Sequence, residues 1–151
     1  MTNLFLLRHS YSAIEGLDDF NRTLTQEGII KCSKVADILN NYDIDIIFSS
    51  DSIRTKQTVE NILNILNKAI EVKYVDALYK TTARELVNFI DQEHYENQNI
   101  LLVGHNPAIS QAALLIDNNL NNSEFHTEVN SGFSPASLAL YKDKKLVSFW
   151  R

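Results

Sequence analysis

Arg8 and His9 follow the apolar run Asn3-Leu4-Phe5-Leu6-Leu7, and a second histidine, His105, follows Ile100-Leu101-Leu102-Val103-Gly104. Imidazole is a nitrogen nucleophile, and guanidinium holds phosphate oxygens through paired hydrogen bonds. Two histidines with an arginine beside one of them point to phosphoryl chemistry if the chain brings them together. A lone histidine after a buried strand is more often a structural hydrogen-bonding residue. Two at equivalent positions weaken that explanation. Arg54 is the third element, in Ser49-Ser50-Asp51-Ser52-Ile53-Arg54, on the first turn of a helix that follows a strand. An arginine there opposes the helix dipole, so it calls for a negative partner. A salt bridge to Asp51 or Glu60 suffices for an isolated arginine. Alongside Arg8, phosphate at a helix N-terminus is the stronger candidate.

Positioning these side chains requires strands that end at one edge. Leu4–Leu7, Ile44–Phe48, Glu71–Val75 and Ile100–Val103 read as buried strands, the second interrupted by Asp45. Between them, apolar residues recur at helical spacing: Ile29, Cys32, Val35, Ala36 and Leu39, then Ile53, Val59, Ile62, Leu63 and Leu66, then Leu86, Phe89 and Ile90. Thr25 is the expected N-cap of the first helix. Pro107 suits the first position of a fourth helix, with Ile109, Ala112, Ala113 and Ile116 facing inward, and the Asn-rich stretch Asn118–Asn122 ends it. Ser137–Tyr141 and Leu146–Trp150 read as a closing hairpin. Alternating strands and helices predict an α/β domain over residues 1–151: three layers, α/β/α, with a mostly parallel sheet and an antiparallel C-terminal hairpin. The carboxyl edge of such a sheet is where ligands bind.

Composition removes several function classes. The chain has 151 residues, 44% of them hydrophobic, and a formal net charge of -5. No Lys/Arg stripe offers a nucleic-acid footprint. No apolar run approaches the ~20 residues of a membrane span, and Leu4–Leu7 is too short for a signal-peptide core, so a cytoplasmic protein is expected. The single cysteine, Cys32, lies on a core stripe and reads as an inert thiol. A metal site would need three or more convergent ligands, and arginines would repel the cation, so no metal or other cofactor is expected. The four glycines form neither nucleotide-binding loop.

Four segments together resemble the histidine phosphatase, or phosphoglycerate-mutase-like, superfamily. Leu6-Leu7-Arg8-His9-Ser10 is similar to its Arg-His-Gly signature, and Leu24-Thr25-x-x-Gly28 to its usual helix start. Residues Ser49-Ser50-Asp51-Ser52-Ile53-Arg54-Thr55-Lys56-Gln57-Thr58 resemble Ser-Ser-Pro-x-x-Arg-x-x-Gln-Thr, and Val103-Gly104-His105-Asn106-Pro107 resembles the second-histidine motif. The match runs in order over nearly the whole chain. Short strand–helix connections, Asp19-x-x-Arg22-x-Leu24-Thr25 and the Leu78-Tyr79 pair look like the SixA-type phosphohistidine phosphatases.

The resemblance implies a metal-independent phosphatase acting on phosphohistidine of a protein, such as a phosphotransfer domain, through a phosphohistidine enzyme. His9 would be the nucleophile, Arg8, Arg54 and His105 would hold the phosphoryl oxygens, and Arg22 would help line the pocket. Two alternatives use the same residues: a small-molecule phosphomonoesterase and a non-catalytic phosphoprotein-binding module. A monomer is expected. Three departures stand out. Ser10 replaces a glycine, which would cost ~1–2 kcal/mol if φ were positive there, though its N–H stays available. Asp51 replaces a proline and is expected to cap the helix. Leu78-Tyr79-Lys80 carries no acid where larger relatives place one, and neither Asp76 nor Glu85 matches that position. An imidazole leaving group, with a conjugate-acid pKa near ~6.5, needs such an acid less than an alkoxide does.

Overall fold

A computed structural model describes residues 2–14, 18–93 and 96–151. The strands are β1 (Asn3–Arg8), β2 (Ile46–Ser50), β3 (Glu71–Val75), β4 (Asn99–Gly104), β5 (Leu138–Lys142) and β6 (Lys145–Trp150). They form one sheet in the order β3-β2-β4-β1-β5-β6. The first four are parallel, and β5 and β6 are antiparallel, β5 against β1 and β6 against β5. Helices α1 (Gln26–Leu39), α2 (Ile53–Leu66), α3 (Ala83–Gln92), α4 (Ala108–Ile116) and α5 (His126–Asn130) cover it. Among the described residues no helix is long and apolar enough to cross a membrane.

Both faces of the central strands are apolar because each covers its own core. In β1, Leu4 and Leu6 join one core while Phe5 and Leu7 join the other. In β4, Ile100 and Leu102 divide from Leu101 and Val103 in the same way. One core takes Cys32, Val35 and Leu39 of α1 with Val59 and Ile62 of α2. The other takes Leu86 of α3 with Ile109, Ala112, Ala113 and Ile116 of α4. Cys32 is fully buried, and burial pushes its thiol up to about 11.

The expected elements are present, with local corrections. Ile44 lies outside β2, which starts at Ile46, because Asp45 is tied to the start of β4. Its N–H donates to the Asn99 carbonyl at 2.9 Å, and its carboxylate accepts from the Asn99 N–H at 2.8 Å. Thr25 caps α1 by accepting the Gly28 N–H at 3.0 Å. Asp51 does not cap α2. Ser52 holds the cap position, and Asp51 Oδ1 is buried without a partner. The Phe20 carbonyl instead takes the free N–H of Ile53 at 3.1 Å, so a loop from elsewhere supplies the cap. Pro107 stands just ahead of α4 rather than in its first turn. The short helix α5 and a 3₁₀ turn at Leu120–Asn122 fill a stretch with no visible periodicity.

Candidate active site

Register places the two histidines. β1 and β4 pair in parallel with Leu7 opposite Val103 and Arg8 opposite Gly104, so His9 and His105 leave adjacent strands side by side. The His9 N–H prolongs the ladder to the Gly104 carbonyl at 3.0 Å. The ring centroids lie 5.3 Å apart. On the other side of β4, β2 ends at Ser50, whose hydroxyl is 2.8 Å from His105 Nε2. The first turn of α2 brings in Arg54, whose Nε donates to His9 Nε2 at 3.3 Å. Arg8 anchors one end of its guanidinium through Nη1 on the Phe133 carbonyl at 2.9 Å. Thus His9, His105 and Arg54 converge at the carboxyl edge, and Arg8 flanks His9 on the chain.

Hydrogen bonds leave specific atoms open. His9 Nδ1 lies 2.7 Å from the Ser10 carbonyl, which can only accept, so Nδ1 carries the proton and Nε2 keeps its lone pair. For His105, the arrangement in which the Ser50 hydroxyl donates to Nε2 leaves the proton on Nδ1. That Nδ1, like Arg8 Nε, is buried with no partner among the described residues. A buried guanidinium N–H without an acceptor among the described residues, joined in this tautomer by the His105 Nδ1–H, at the sheet edge that carries His9 makes a site for an oxyanion.

Burial is the main cause that lowers both histidines, His9 to about 3 and His105 to about 4. Arg54 and Arg8 push both further down, as Arg22 does His105, while the Ser10 carbonyl acts upward on His9 and Asp19 acts upward on His105. Arg8 is itself lowered by burial and by Arg22 and Arg54. Both imidazoles are therefore neutral at pH 7. His9 can attack as a free base, and His105 offers an oxygen a neutral N–H.

The supporting contacts explain residues that the motifs contain. Thr58 Oγ1 accepts the Ser10 N–H at 3.1 Å and donates to the Arg54 carbonyl at 2.7 Å, joining the nucleophile loop to α2. The Ser10 N–H is thus occupied rather than available to a ligand. Ser10 is absent from the positive-φ residues, so replacing glycine costs no strain there, and its hydroxyl donates to the Gly28 carbonyl at 2.7 Å. Gly28 is required by contact: a Cβ would lie 2.1 Å from the Tyr11 carbonyl oxygen. At Gly104 a Cβ would meet the Ile109 side chain at 3.0 Å. Ala136, at φ +64°, directs its N–H to the Arg8 and His9 carbonyls at 3.2 and 3.1 Å. That left-handed conformation costs an alanine ~1–2 kcal/mol.

At the mouth stands Asp19, to which the sequence motifs attached no role. Its Oδ2 accepts from Arg54 Nη2 at 3.1 Å and from the Tyr79 hydroxyl at 2.5 Å, and its Oδ1 from Arg22 Nη1 at 3.2 Å. The Tyr79 hydrogen bond, followed by Arg54 and Arg22, holds the carboxyl down at about 2. Arg22 belongs to this rim rather than to the histidine pair. Its Nε and Nη2 bind the Ala13 carbonyl and Ser12 Oγ at 2.7 and 2.8 Å. The Tyr79 ring meets His105 edge-on at 5.6 Å between centroids. Ser50, Thr58, Asp19 and Tyr79 are the site residues that sequence reasoning left without a function. For the first two a signal existed, since polar residues sat at buried positions of a strand and a helix. Among the described residues no three His, Cys, Asp or Glu side chains group as metal ligands.

The profile of the histidine phosphatase superfamily (branch 1) matches residues 4–82. No curated protein matches the chain significantly. Among solved structures, the chain is similar to a protein of Agrobacterium tumefaciens assigned as the phosphohistidine phosphatase SixA. That match has 28% identity and a TM-score of 0.85, covering 99% of this chain and 97% of that one. Two others share the fold. The protein histidine phosphatase SixA complexed with tungstate has 18% identity, TM-score 0.80 and 99% and 94% coverage. The phosphoserine phosphatase of Entamoeba histolytica has 20% identity, TM-score 0.70 and 99% and 96% coverage.

Proposed function

The chain belongs to the histidine phosphatase superfamily and is a hydrolase of the phosphatase kind, and from that premise we propose that it removes the phosphoryl group from phosphohistidine on a protein. One observation carries the reading: neutral His9, whose Nε2 meets the Arg54 guanidinium, shares the sheet edge with two buried nitrogens, Arg8 Nε and His105 Nδ1, that have no partner among the described residues. A phosphoryl group fits this arrangement. Its phosphorus meets the lone pair, and its oxygens satisfy the donors and Arg54.

His9 Nε2 attacks phosphorus in line with the departing nitrogen, forming a phosphohistidine that water then hydrolyses. Arg54 Nε, which rests on His9 Nε2, turns to an equatorial oxygen as charge spreads over the phosphoryl group. The nitrogen substrate is favoured because Asp19, held at about 2, carries no proton at neutral pH to give an alkoxide. Imidazole leaves without that help. Likeness over the whole chain to an assigned phosphohistidine phosphatase supports the same substrate class. In this reading residues 1–151 act as one unit, monomeric and cytoplasmic, on a phosphotransfer-type protein, with no metal required.

The test is acid-free quenching with a radiolabelled phosphohistidine phosphotransfer domain, with and without EDTA. Label should appear on His9 and disappear in His9→Ala together with phosphate release, and EDTA should leave turnover unchanged. Release that persists in His9→Ala, or a requirement for added magnesium, would overturn the mechanism. Turnover of a sugar phosphate orders of magnitude faster than the phosphoprotein would make the protein a small-molecule phosphomonoesterase instead.

A further inference from the structure

Nucleophile and rim carboxylate are linked through one side chain. Arg54 places Nε on His9 Nε2 at 3.3 Å and Nη2 on Asp19 Oδ2 at 3.1 Å, so one guanidinium bridges the two through a hydrogen bond to each. His9 is 5% exposed, whereas the Asp19 side chain is 56% exposed. An in-line displacement sends the leaving group away from the buried nucleophile, toward the exposed side of the site on which Asp19 lies. Beside that carboxylate, the Tyr79 ring packs edge-on against Phe20 at 5.0 Å and against His105 at 5.6 Å, forming an aromatic wall.

We infer that Asp19, oriented by Tyr79, selects a protonated nitrogen leaving group over an oxygen one by accepting a hydrogen bond from the N–H of the departing imidazole. This rests on the phosphohistidine reading and adds the residue that enforces it. Among the described residues Asp19 Oδ1 has one hydrogen-bond partner, Arg22, so it retains acceptor capacity.

Electron balance gives the carboxylate its effect. When the P–N bond breaks, the bonding pair returns to the ring nitrogen while the phosphoryl group passes to His9 Nε2. If the other ring nitrogen carries a proton, the ring is cationic before cleavage and departs as neutral imidazole. Without that proton it would depart as an imidazolate, a far worse leaving group. An acceptor fixed in the ionised state keeps the proton on the ring. An alcohol or phenol offers no such N–H, and the negative charge developing on its oxygen is repelled by the same carboxylate. The selection therefore acts in opposite directions on the two classes.

The experiment compares kcat/KM on phosphoimidazole and on p-nitrophenyl phosphate for wild type, Asp19→Asn and Asp19→Glu. Asp19→Asn should lower turnover of phosphoimidazole about 10- to 100-fold, the size of a lost charge-assisted hydrogen bond. It should raise turnover of p-nitrophenyl phosphate severalfold, and Asp19→Glu should recover part of the nitrogen preference. A parallel fall on both substrates would show that Asp19 only holds Arg54, and no change on either would show that it does not meet the leaving group. Both results overturn this inference while leaving the phosphatase reading intact. Failure of wild type to use phosphohistidine or phosphoimidazole would overturn the reading beneath it.

Discussion

Lowering the pH from 7 to 5 should destabilise this protein through its two buried site histidines. In the unfolded chain both rings protonate near ~6.5. In the folded protein His9 stays neutral to about 3 and His105 to about 4. Between those limits the unfolded state binds more protons, so stability is full above the unfolded value and falls as pH drops. The slope approaches ~1.4 kcal/mol per pH unit for each ring. Between pH 7 and 5 that amounts to about 2 kcal/mol per ring, a sizeable part of a typical stability of ~5–15 kcal/mol. Asp19, held at about 2, loses its ion pairs only below this window. Urea unfolding at pH 7, 6 and 5 measures the effect, and His9→Gln or His105→Gln should each remove about half of it. A wild-type stability that is flat between pH 7 and 5, or equal slopes in wild type and both variants, would refute the reasoning.

Three further outcomes follow from the site and the loop that supports it. His105→Ala should slow phosphoryl transfer by roughly 10²–10³-fold, as loss of one preorganised donor does. Ser50→Ala, which leaves His105 Nε2 only the longer 3.5 Å contact to Ser52 Oγ, should cost about 1–3 kcal/mol of stability and slow kcat while the phosphoenzyme label stays on His9. Gly28→Ala forces a Cβ to 2.1 Å from the Tyr11 carbonyl, a backbone atom that cannot swing aside. It should cost about 1–3 kcal/mol in thermal unfolding and lower kcat through the displaced nucleophile loop, and wild-type values for both would refute the contact argument.

What the sequence made legible is what repeats with a period. The runs Leu4–Leu7 and Ile100–Val103 are apolar at every position, as strands covered on both faces must be, and the histidines after them fall at the sheet edge for that reason. Arg54 was visible because a cation in a first turn is out of place. The residues that escaped act through contacts between distant segments. Asp19 lies in a loop without periodicity, and its importance comes from Tyr79, 60 residues later. Asp51 has the right chemistry for a cap, yet Phe20 takes the free N–H. The protonation of His105 was equally hidden, because burial, the largest cause of its shift, is a property of the packed chain.

The contact between Arg54 Nε and His9 Nε2 has a kinetic meaning. It places an N–H on the lone pair that performs the reaction, so one guanidinium covers the nucleophile. An incoming phosphoryl group competes for that arginine with its own negative oxygens, and in taking the N–H it uncovers the nitrogen it is about to meet. Neutral electrophiles bring no such inducement. Reactivity is thus conditional on the charge of the visitor, a form of discrimination that operates before any bond to phosphorus begins to form.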